Sequence, residues 1–181
     1  MKTISITILT IIMIYFLNIT MLSESFAQQV QYGIRTGIND THQENLDLSV
    51  YEIYLHTVPP IHSIADNIFG ASNISFEMAL GVVSDKTNSS FLFSMGPILR
   101  LINYENIFSV STGLKPSFMT NHIFSDFDIG GAINFISHIA LTISPAEQIN
   151  LGYRFEHKSN AGLYEKNPGV NFHYVEILYV L

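Results

Sequence analysis

From Val30 onward, apolar and polar residues alternate with a period of two, in short segments separated by turn-rich ones. The segments cover roughly 30–38, 46–58, 72–84, 90–102, 106–118, 128–143, 148–158 and 170–181. In the third, Ile74, Phe76, Met78, Leu80 and Val82 share one face, and Asn73, Ser75, Glu77, Ala79 and Gly81 the other. In the sixth, Ile129, Ile133, Phe135, Ile139, Leu141 and Ile143 oppose Asp128, Asn134, His138 and Thr142. Eight strands of this kind predict an all-β fold, an antiparallel barrel closed on itself. Neither an internal repeat nor a low-complexity tract interrupts the pattern.

Period alone does not say which face is outside. A membrane barrel puts the apolar face outward, whereas a soluble carrier barrel, a third reading, puts it inward. Three features favour an eight-stranded transmembrane barrel of the outer-membrane type. Glu77, Arg100, Asp128, Arg154 and Glu156 form a mixed-sign set on the polar face, suited to pairing across a narrow lumen. The last segment ends Val175-x-Ile177-x-Tyr179-x-Leu181, resembling the C-terminal signature of bacterial outer-membrane barrels, though that usually ends in an aromatic. Tyr and Phe gather near strand ends, as interfacial girdles do, while Trp is absent. With both ends in the periplasm, segments near 39–45, 85–89, 119–127 and 159–169 become outer loops, and those near 102–106 and 144–148 periplasmic turns. The segment 59–71, with Pro59-Pro60, is long for such a turn and has no ready account.

The N-terminus changes the compartment. Lys2, the apolar run from Ile4 to Leu22, and Ser25-Phe26-Ala27 have the order of a secretory signal peptide. The run is long enough to remain as an anchor. Asn18, Thr20 and the small-x-small site favour cleavage after Ala27, so residues 1–27 are expected to be a signal peptide and 28–181 one barrel domain. No second run of about eighteen apolar residues follows, which excludes a multi-span helical protein. Removing Lys2 and Glu24 leaves 7 Lys+Arg against 14 Asp+Glu, a poor composition for binding nucleic acid. Without Cys there is neither a disulfide nor a thiolate metal site. His42, His56, His62, His122, His138 and His173 lack ligand spacing, so no metal and no cofactor is expected. The outward parity makes His173 an interfacial side chain.

The candidate chemistry lies near the C-terminus. Ile149, Leu151, Tyr153, Phe155, His157 and Ser159 share the outward parity, and Asn171, His173 and Val175 share it on the next strand. Antiparallel neighbours then bring His157, Ser159 and Asn171 together at the outer rim. A serine hydroxyl is a weak nucleophile until a base takes its proton, and imidazole suits that role near neutral pH. Ser159-Asn160-Ala161-Gly162 and Asn167-Pro168-Gly169, each alone, are also ordinary turn sequences.

H-K-S-N-A-G followed by N-P-G-V-N, from His157 to Asn171, resembles the signature of the lipid A 3-O-deacylase family, the PagL-like outer-membrane esterases. The resemblance implies an eight-stranded barrel that hydrolyses the acyl ester at position 3 of lipid A. Ser159 would be nucleophile and His157 general base. Asn160 would match the oxyanion-hole Asn, Gly162 would be a backbone donor nearby, and Asn167 would help shape the site. The family pattern has a Glu fourteen positions after the His, and here Asn171 stands there. Asn accepts the imidazole N–H but brings no charge to the imidazolium. Glu165 is the candidate substitute acid, since Glu156 has the opposite parity. The expected partner is lipopolysaccharide in the outer leaflet, and a homodimer stays open. The alternative from another class is a catalytically weak or inactive barrel with a structural, adhesive or lipid-binding role.

Overall fold

The computed structural model of the chain describes residues 30–40, 46–57 and 73–180, and among these described residues the regular elements longer than a single turn are β-strands. The strands are β1 (Val30–Asn39), β2 (Ser49–Thr57), β3 (Ile74–Ser84), β4 (Ser89–Tyr104), β5 (Phe108–Met119), β6 (Ile123–Phe124), β7 (Phe127–Asp128), β8 (Ile133–Ala146), β9 (Ile149–Ser159) and β10 (Val170–Val180). Eight of them close into an antiparallel barrel in the order β1-β10-β9-β8-β5-β4-β3-β2, and β6 and β7 form a separate hairpin. Closure leaves no edge strand, which a sheet surrounded by lipid requires. The expected signal segment, the whole of 59–71, His42, His62 and Leu181 lie outside the described residues.

The apolar parity faces outward. Phe91 is 71% exposed, Ile53 62% and Val175 61%, while Glu77 and Glu156 on the other parity are 0% exposed. The soluble carrier is therefore inverted relative to this barrel, whose interior holds charge. Glu77 sits at the centre of that charge. Its carboxylate receives Arg35 at 3.0 Å, Lys115 at 2.5 Å and Arg154 at 2.9 Å. Glu52 and Glu176 pair with Arg35 and Arg154 at 2.5 and 3.0 Å. Arg154 and Glu156 thus join Glu77 as the alternation predicts.

Arg100 and Asp128 do not. Arg100 lines a polar cavity of about 590 Å³ at the end of the lumen where Gln31 and Val180 lie. Asp128 ends the β6–β7 hairpin, and Ile129 beside it is fully buried rather than outward. The positive φ of Gly130 and Gly131 breaks the strand there, so the sixth barrel strand begins at Ile133 and not at 128. The outer half of the lumen also holds an apolar cluster: Leu48, Val50, Val83, Leu92, Met119, Phe124, Ile129 and Phe172 pack together. Leu46 and Leu48 reach it from outside β2, because the Asn39 side chain holds the Leu48 N–H and Leu46 carbonyl at 2.7 and 2.9 Å. The outer end is thus closed by side chains, and the wall above it carries the reactive groups.

Candidate active site

Register builds the site. β9 runs between β8 and β10, and His157 pairs with Asn171 on one side and Ser137 on the other. Both pairs face outward, as alternation requires. His157 and Ser137 are exposed and Ser159 and Asn171 half-buried, while Lys158 between His157 and Ser159 turns inward and is fully buried. Its ammonium lies 5.3 Å over the Phe172 ring, which anchors the underside of the strand.

The imidazole is held from one side. His157 Nδ1–H donates to Asn171 Oδ1 at 2.7 Å. With the proton on Nδ1, Nε2 carries the lone pair and is the basic atom. The Cε1–Nε2 edge lies beside Gly169, against the place a Cβ would take. Ser159 sits two residues along the same face and has no hydrogen bond to His157 among the described residues. The loop 160–169 is folded around Asn160, which is 0% exposed. Its Nδ2 donates to the carbonyls of Gly130 and Lys166, both at 2.6 Å, and its Oδ1 accepts Gly162 N–H at 2.8 Å. Its own N–H donates to Asn167 Oδ1 at 3.0 Å. A Cβ on Gly130 would stand 2.4 Å from the Lys166 carbonyl, so only glycine allows this approach.

The resemblance implies an oxyanion donor at Asn160; here both Asn160 Nδ2 hydrogens are directed to carbonyls, one in the loop and one at Gly130 before β8. The Gly162 N–H is likewise engaged. Asn167 uses only its Oδ1, and its Nδ2 has no partner among the described residues. Glu165 is exposed, with Asn171 rather than Glu165 at the imidazole. His173 faces outward one pair deeper, where it bonds the Tyr153 hydroxyl at 2.7 Å and packs against Phe155 at 5.2 Å.

Sequence reasoning passed over Ser137 and Tyr164. Ser137 is a small polar residue between outward Phe135 and Ile139, and that break in an apolar stripe was its one signal. Tyr164 reaches across to the Ile133 N–H at 3.4 Å and covers Gly131, a tertiary contact with no local pattern.

Comparison with known proteins agrees with this architecture. Residues 54–180 match the model of the family described as lipid A 3-O-deacylase (PagL). Over 64 residues the chain is 34% identical to lipid A deacylase PagL of Bordetella bronchiseptica, a stretch covering 35% of this chain and 36% of that relative's length. The crystal structure of the outer membrane enzyme PagL superposes with a TM-score of 0.65 at 16% identity, covering 83% of this chain and 99% of that one. The N-terminal β-barrel domain of Pseudomonas aeruginosa OprF superposes at 0.55 with 14% identity, covering 84% and 96%. The two superpositions speak for the barrel alone, but the family match spans most of the chain: it belongs to the lipid A 3-O-deacylase (PagL) family.

Proposed function

We propose that the protein is an outer-membrane serine esterase that removes the acyl chain esterified at position 3 of lipid A. Residues 1–27 act as the cleaved export signal, and residues 28–181 form the barrel. The observation that carries the reading is the imidazole held through Nδ1 by Asn171 at 2.7 Å, with Nε2 left basic on the face that carries Ser159. That face is the lipid-facing one, at the outer rim, where the ester of a leaflet lipid would lie.

Ser159 Oγ attacks the ester carbonyl carbon as Nε2 takes its proton. Asn167 Nδ2, an amide of the 160–169 loop without a partner among the described residues, donates to the oxyanion. Such a donor is typically worth ~3–4 kcal/mol of barrier. The imidazolium then returns the proton to the departing sugar oxygen, leaving an acyl group on Ser159. Water attacks that ester by the same base and releases a fatty acid. Asn160 acts as the staple that sets the loop, and Asn171 orients the base.

Asn171 also favours one competing reading, a barrel whose site is catalytically weak or inactive. Incubation of the refolded mature protein with lipid A in detergent, followed by product masses, separates the two. Loss of one acyl chain supports the esterase, and an unchanged substrate with folded barrel supports the other.

A further inference from the structure

We infer that Gly169 is a positioning residue for the base: its missing side chain is the niche that lets the imidazole edge turn toward Ser159. Gly169 immediately precedes the Val170–Lys158 pair, so it stands at the level of Ser159 on the neighbouring strand. A Cβ built there would lie 2.9 Å from His157 Cε1 and 3.4 Å from Nε2. Apolar carbons rest at about 3.5–4.0 Å, so a methyl group displaces the ring by about 0.5–1 Å. The ring has one other restraint, the Nδ1 bond to Asn171 on the same strand as Gly169. Asn171 thus fixes one edge, Gly169 receives the other, and the two together aim Nε2 along the strand.

Two features of this glycine act separately. Its φ of +66° suits a residue without Cβ, and its closeness to His157 means that a Cβ there moves the ring. Gly162 shows that the first does not imply the second: with φ +81°, a Cβ there would meet nothing within 4 Å. Turn chemistry alone explains a glycine at 162, whereas at 169 the imidazole ring also lies where a Cβ would stand.

The inference rests on the esterase reading, and the test keeps the two apart. Gly169→Ala has both the backbone strain and the contact. Gly169→Asn relieves much of the strain, since Asn tolerates the left-handed region, but keeps the Cβ. Both variants are expected to lower kcat on lipid A about 100-fold, the scale of a 1 Å misplacement, with KM within about two-fold. In parallel, the His157 ε1 proton of the micelle-bound barrel is expected to shift in both variants while β9 amide signals away from the rim stay in place. Recovery in Gly169→Asn, or an unmoved ε1 signal, overturns the inference. An inactive wild type sinks the esterase reading instead, and the ε1 signal then decides the geometry by itself.

Discussion

Replacing Asn171 by a carboxylate is expected to raise the rate, and the geometry bounds the gain. The amide oxygen stands 2.7 Å from Nδ1, so the imidazole is already in the tautomer with a basic Nε2. In a serine-protease triad, Asp→Asn costs about 10⁴-fold largely because the wrong tautomer results. That part of the loss does not apply here, which leaves the charge. A carboxylate about 4 Å from the centre of the imidazolium contributes ~4 kcal/mol at an effective dielectric constant of about 20. Asn171 is half-buried at the rim, where water screens the pair, so about 1.4–2.8 kcal/mol is expected at the transition state. That corresponds to a rise in kcat of about 10- to 100-fold. Asn171→Asp is the isosteric form, and Asn171→Glu restores the family residue with one more methylene. Released fatty acid from mixed micelles, followed over a range of lipid A, gives kcat and KM for each. The reasoning is refuted if neither acid raises kcat in a folded barrel, or if Asn171→Ala is as fast as wild type.

Asn167→Asp keeps an oxygen for the Asn160 N–H but removes the amide donor, so kcat should fall about 10²–10³-fold with little change in thermal stability. Glu77→Gln leaves Arg35, Lys115 and Arg154 in a buried lumen without their shared carboxylate, and should lower the urea midpoint of the barrel by an amount equivalent to about 3–5 kcal/mol. The Asp128 carboxyl is held below its ordinary range by the Gly130 N–H and then by His122. A depressed carboxylate stabilises above its unfolded pKa and loses that contribution as pH falls through its folded one. The outer hairpin should therefore resist proteolysis from neutral pH down to about 4 and open only below it; Asp128→Asn should open it at neutral pH as well.

Period-two alternation made most of the wall legible, because each barrel strand has one lipid-facing side and a slip of one residue would expose the lumen charges. It misled at 128–132, where Ile129 alternates correctly but belongs to the interior cluster. Nothing local distinguishes an apolar residue that faces lipid from one that plugs a barrel. The His157, Ser159 and Asn171 positions followed from parity plus the spacing of the motif. The division of labour between Asn160 and Asn167 did not, since it depends on the carbonyls of Gly130 and Lys166, the former thirty residues away. Arg35, Glu52, Lys115 and Glu176 share the lumen for the same reason: their meeting is a property of closure, which brings β1 against β10.

Mapping the adduct of a lipophilic fluorophosphonate on the refolded protein tests the central claim most directly. A single adduct on Ser159, lost in His157→Ala and retained in Glu165→Gln, is the predicted result. An adduct on Ser137, the hydroxyl paired beside His157 on β8, or labelling of Ser159 that persists without His157, would contradict it.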